Sequence, residues 1–271
     1  VNGRRRLSPR EAARDMIERV RRRADPKRAA STQRFFKEPV ECYGLDTATG
    51  RGLTKELLKR VKGSWTLRDA VAFCRAMLRD PHLEPRGIGY QVVAAHVGEA
   101  GPGLLRDARR WLERSCGNWA LVDTLAPSVV APLVSAHPEA LPEVVRWTAS
   151  SNVWLRRGAA VTFVPLARRG RHLDTACDVA RRLLGDDEDV MHKAVGWLLR
   201  EVGKTDRRRL ERFLRAEGSR MPRTTVRHAI ERFPPDDRRR WLAATRPASP
   251  VASRTLRVGS WREGAKEAKR G

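Results

Sequence analysis

Apolar residues recur at i, i+3, i+4 and i+7 along most of the chain, the spacing of a helix that buries one face. This spacing predicts helices over residues 67–79, 104–115, 139–148, 174–184, 189–202, 206–217, 222–232 and 236–244. Ser8-Pro9 supplies an N-cap and a first-turn proline for a further helix over 8–24. Short breaks punctuate the pattern at Asp80-Pro81, Gly101-Pro102-Gly103, Gly170, Gly185-Asp186-Asp187, Gly218 and Pro234-Pro235. Val-rich alternation flanked by hairpin turns is absent. The chain is predicted to be all-helical.

The tryptophans add a longer period. Trp65, Trp111, Trp154, Trp197 and Trp241 stand 46, 43, 43 and 44 residues apart, and four of them open a Trp-Leu phrase. A recurrence of about 40–47 residues with two or three helices each is the signature of HEAT-like repeats. Such units bury their apolar faces only by stacking, which gives a solenoid with an extended concave surface. The expected organisation is an Arg-rich N-terminal helix or extension over 1–30, a HEAT-like solenoid over 31–245 and a mobile basic tail over 246–271.

Charge narrows the partners. The chain has 271 residues, 56 Lys+Arg against 32 Asp+Glu, and a formal net charge of +24. Runs such as Arg4–Arg6, Arg207–Arg209 and Arg238–Arg240 offer guanidinium forks that match phosphate oxygens, so nucleic acid is the favoured partner. The alternative is a solvated basic face, or an anionic membrane surface without any lipid anchor. The apolar stretches around 129–134 and 159–167 are broken and fall far short of the roughly 20 residues of a bilayer span. Cys42, Cys74, Cys116 and Cys177 have neither Cys-x-x-Cys spacing nor disulfide density, and no secretory signal is apparent. A cytoplasmic, nucleoid-associated monomer that does not engage a membrane is the expectation.

One acidic residue breaks an otherwise apolar helix. Trp119 and Asp123 are four residues apart, about 6 Å along a helix axis and on one face. An unpaired carboxylate in that setting would cost several kcal/mol to bury. Asp123 therefore either faces an open site or pairs with an Arg from the next repeat.

Three phrases carry a resemblance. Asn118-Trp119-Ala-Leu-Val-Asp123, Trp147-Thr-Ala-Ser-Ser-Asn152-Val-Trp154-Leu-Arg-Arg157 and Lys193-Ala-Val-Gly-Trp197-Leu-Leu-Arg200-Glu-Val-Gly-Lys204 stand in the same order and at compatible separations. The chain from about Phe35 to Phe233 resembles the AlkD-type DNA alkylation repair family, HEAT-like-repeat DNA glycosylases. The resemblance implies excision of alkylated purines from duplex DNA by Asp123, Trp119 and Trp197, without metal or cofactor. It places the DNA-contacting Arg at Arg157 and an aromatic near the lesion at Phe35; Arg200 and Lys204 are further candidate phosphate contacts. Asn118 and Ala120 stand where relatives can carry Trp and Asp.

The chemistry suits a lone carboxylate. Alkylation at N3 or N7 makes a purine cationic, so the base leaves neutral without an acid, whereas a neutral glycoside needs two carboxyl groups. Asp123 would stabilise the developing oxocarbenium charge and position water, in a basic groove open to solvent. The two indoles would offer faces to the cation, each worth about 0.5–2 kcal/mol. Trp197 also sits at the repeated Trp position, which equally fits a core role. No His-Glu-x-x-His, calcium loop or nucleophile motif competes. Two other readings are a non-catalytic binder of distorted nucleic acid and a protein–protein scaffold.

Overall fold

The structure, a computed structural model, describes residues 6–246. Residues 1–5 of the expected N-terminal extension and 247–271 of the expected tail lie outside the described residues. Among the described residues there are helices and connecting turns and no strand. The helices are α1 (Pro9–Arg21), α2 (Pro26–Thr32), α3 (Thr47–Val61), α4 (Leu67–Met77), α5 (Leu83–Ala94), α6 (Leu104–Arg114), α7 (Trp119–Leu125) and α8 (Ala131–Ala136). They continue with α9 (Leu141–Arg146), α10 (Val153–Arg168), α11 (Leu173–Arg182), α12 (Asp189–Thr205), α13 (Arg207–Glu217), α14 (Arg223–Ala229) and α15 (Pro235–Ala244).

Local chemistry sets the helix starts. Ser8 and Glu11 form a reciprocal capping box ahead of α1, and Asp25, Asp46, Asn118, Asn152 and Asp206 each accept a backbone N–H at the head of their helix. α1 is packed into the fold: Ala12, Ala13, Met16 and Val20 are buried, and the helix lies against α4.

The repeat is real but has a different length. α5, α7, α10, α12 and α14 begin at residues 83, 119, 153, 189 and 223, intervals of 36, 34, 36 and 34. These five form one layer in which each packs on the next, with α4, α11 and α13 laid against it. The chain is a helical-repeat solenoid. The tryptophan interval of 43–46 residues is not its period. Trp65 precedes α4, Trp154 opens α10, Trp197 lies midway along α12, and Trp111 and Trp241 are buried on α6 and α15.

Two helices of the layer, α5 and α10, escape the amphipathic pattern because they are covered on several sides. In α10, Leu155, Arg157–Val164, Leu166 and Ala167 are all buried. A π turn over Ala126–Val130 joins α7 to α8, so the apolar stretch runs as an 18-residue helix, Trp119–Ala136, longer than the broken segments read from sequence. Its buried side, including Leu121, Val122, Leu125, Val129, Val130 and Leu133, belongs to the core. α14 lies flush on α12 because residue 196 is glycine: a Cβ there would stand 2.5 Å from the Cβ of His228.

Candidate active site

α7 begins at Trp119 because Asn118 accepts a hydrogen bond from the Leu121 amide at 3.1 Å. Leu121, Val122 and Leu125 then turn into the core. Helical geometry leaves Trp119, Ala120, Asp123 and Thr124 on the opposite side, all half-buried. Core packing thus aims Asp123 outward.

The carboxylate is not free. Arg157 of α10, in the next repeat, donates from Nε to Asp123 Oδ1 at 3.0 Å and from Nη2 to Oδ2 at 2.8 Å. Its Nη1 donates to the Val190 carbonyl in the first turn of α12. One guanidinium therefore fastens three successive helices of the layer. The Arg157 side chain is 6% exposed and the Asp123 side chain 18%.

Two expectations change accordingly. Arg157 does not reach out to a phosphate: it is buried, with Nε, Nη1 and Nη2 all engaged. The physical reason is that a half-buried carboxylate needs a cation, and Arg157 is that cation. Asp123, in turn, is partnered from the adjoining repeat and keeps only part of its surface open. Burial pushes its carboxyl up from the ordinary value, while the charge and hydrogen bonds of Arg157 pull it down. Each oxygen gives Arg157 one lone pair and keeps another for a water or a substrate.

Trp119 is held from outside the layer. Its Nε1 donates to the Phe35 carbonyl at 3.2 Å, and the Phe36 ring stacks on the indole with centroids 5.2 Å apart and planes 18° from parallel. Phe35 itself is 60% exposed, with the Arg34 guanidinium 4.8 Å over its ring. The family resemblance singles out Phe35 and misses Phe36; the adjacent pair gives no sign in sequence of which ring turns inward.

α12 supplies a stripe. Val190, Lys193, Trp197, Arg200 and Lys204 follow one another at three- and four-residue steps, and all are half-buried or exposed. Trp197 lies two turns from Val190 on the same face, packed against the core at its edge. Arg200 pairs with Glu231 and lies 3.7 Å from Glu201. Lys204 pairs with Glu201 at 2.8 Å, and Arg168 with Glu201 at 3.0 Å. Against the push of burial, Arg168 and Lys204 hold the Glu201 carboxyl below the usual range. The candidate residues thus form three groups: Asp123 with Arg157, Trp119 with Phe35, and Trp197, Arg200 and Lys204 along α12.

A profile described as DNA alkylation repair enzyme matches residues 16–233. The chain belongs to the DNA alkylation repair enzyme family. A solved structure titled as a predicted DNA alkylation repair enzyme from Enterococcus faecalis shares the fold, with a TM-score of 0.69 and 18% identity over 78% of this chain and 97% of that one. Among curated proteins the comparison finds no match. The family span opens inside α1, earlier than the Phe35 boundary read from sequence, and closes at Phe233 before α15. Family membership supports a role in DNA alkylation repair, with DNA as the partner.

Proposed function

We propose that the protein is a DNA glycosylase that hydrolyses the N-glycosidic bond of cationic N3- or N7-alkylated purines in duplex DNA. The observation that carries this reading is a carboxylate, Asp123, fixed by two hydrogen bonds from Arg157 and left 18% exposed one helical turn from Trp119. As the C–N bond of an alkylated purine breaks, its electron pair leaves with the base, which becomes neutral, and positive charge grows on the sugar. Asp123 stabilises that charge and accepts a hydrogen bond from the attacking water. Arg157 keeps the carboxylate in one orientation, so little reorganisation accompanies charge development. Trp119 offers its ring to the cationic base. Trp197, flanked by Lys193 and Arg200, lies on the α12 stripe along which a phosphate backbone is placed in this reading.

Chromatographic detection of free 7-methylguanine from a methylated duplex incubated with the protein tests the proposal. Release above the spontaneous rate supports it. One observation favours a second reading: Arg157 already compensates the charge of Asp123. If that pair is purely structural, the protein binds alkylated or distorted duplexes tightly and releases no base.

A further inference from the structure

Residues 33–43 leave α2, reach across to α7 and return to α3 as a strap. Its base is fixed on α5. The amides of Tyr43, Gly44 and Leu45 donate to the Glu84 carboxylate at 2.9, 2.8 and 3.0 Å, and the Leu83 amide donates to the Glu41 carbonyl at 2.9 Å. The Asp25 amide closes the loop on the Tyr43 carbonyl at 2.8 Å. Gly44 has φ +78°, and a Cβ there would lie 2.2 Å from the Asp25 carbonyl oxygen, so only glycine fits. The middle is knotted by one side chain. Gln33 Nε2 donates to the carbonyls of Phe36 (3.1 Å) and Glu38 (2.9 Å), and its Oε1 accepts from the Val40 amide (2.9 Å).

The tip of this tied loop meets one indole. The Phe35 carbonyl takes the Trp119 N–H, and the Phe36 ring lies nearly parallel to the indole. An indole has one N–H and two faces. With the N–H direction set and one face backed, the plane of the ring is set too. In the first turn of a short helix, the backbone alone would leave Trp119 a choice of rotamers. We propose that Phe36 is a positioning residue for Trp119: it backs one face of the indole so that the other is presented to the base beside Asp123. This inference rests on the glycosylase reading for its consequence, but its structural half is independent of it.

The test separates rate from binding. In Phe36→Ala, single-turnover release of 7-methylguanine is expected to slow by about tenfold, the order an aromatic pair contributes. Affinity for the same duplex should change by less than about twofold, because the phosphate contacts are untouched. Phe36→Tyr, which keeps a ring against the indole, should restore the rate. A second readout needs no activity: in protein labelled with 5-fluorotryptophan, the 19F resonance that disappears in Trp119→Phe should shift in Phe36→Ala and stay in Phe36→Tyr. If Phe36→Ala binds more tightly and releases faster, the strap is a cover and the positioning role is overturned. A wild-type rate with an unmoved 19F resonance overturns it as well. If the wild-type protein releases no base, the glycosylase reading fails, and the 19F shift alone decides whether Phe36 holds Trp119.

Discussion

Arg157 and Asp123, from neighbouring repeats, meet as a two-pronged ion pair with N···O distances of 3.0 and 2.8 Å. The pair is half structural brace and half candidate site. The third Arg157 contact, to the Val190 carbonyl, carries the brace on to α12. Removing the guanidinium should leave an uncompensated, largely buried carboxylate. Arg157→Met is predicted to lower stability by about 3–5 kcal/mol, measured by urea denaturation. The double variant Asp123→Asn/Arg157→Met should recover part of that loss, because neither charge then remains buried alone.

Acid should switch off base release from above the ordinary carboxylate range. The proposed reaction needs Asp123 ionised, and burial raises its carboxyl from the ordinary value of about 3.9. Activity is therefore present at neutral pH and falls as pH drops through a midpoint higher than that value. Arg157 opposes the rise, so Arg157→Met should move the acid limb to still higher pH. Single-turnover rates across that range, corrected for spontaneous depurination, measure both midpoints.

Duplex affinity should weaken steeply with salt. With +24 formal charges, and six to ten phosphate contacts, affinity would fall by about a thousand- to a hundred-thousand-fold between 50 and 200 mM salt. Lys204 is exposed on the α12 stripe. Lys204→Ala is predicted to reduce the slope of log K against log salt by about 1 and to weaken damaged and undamaged duplexes alike. Binding titrations at several salt concentrations read the slope directly.

The seam between α12 and α14 depends on a missing side chain. A Cβ at residue 196 would stand 2.5 Å from His228 Cβ and 2.9 Å from the Thr225 carbonyl oxygen. Gly196→Ala should destabilise the protein by about 1–3 kcal/mol, the usual effect of overpacking. A thermal melt of the variant measures it.

Much of the architecture is legible in the chain, and the gaps have physical causes. α4, α6, α11, α12 and α13 each keep a polar side, so apolar spacing reveals them. α5 and α10 are buried around most of their circumference and leave little contrast to read. α3 begins Thr-Ala-Thr-Gly-Arg-Gly, where two threonines and two glycines weaken the helix signal, and forms through its Asp46 cap and its packing on α5. The tryptophan phrase suggests a period of 43–46 residues, but it marks different positions on different helices, and the helix starts give 34–36. At the site, sequence spacing places Trp119 and Asp123 on one face of α7. It leaves open whether Asp123 pairs across repeats, and the family resemblance points Arg157 toward DNA where the fold turns it toward Asp123. The Phe36–Trp119 stack joins residues 83 positions apart through a loop, and no local pattern encodes such a contact.

The most direct test compares wild type with Asp123→Asn for release of free 7-methylguanine from one methylated duplex, with binding of that duplex measured in parallel. Loss of a preorganised charge of this kind predicts a rate lower by about a hundredfold or more, with affinity nearly unchanged. Equal release by the two proteins would contradict the catalytic role of Asp123, and no release by wild type would contradict the glycosylase itself.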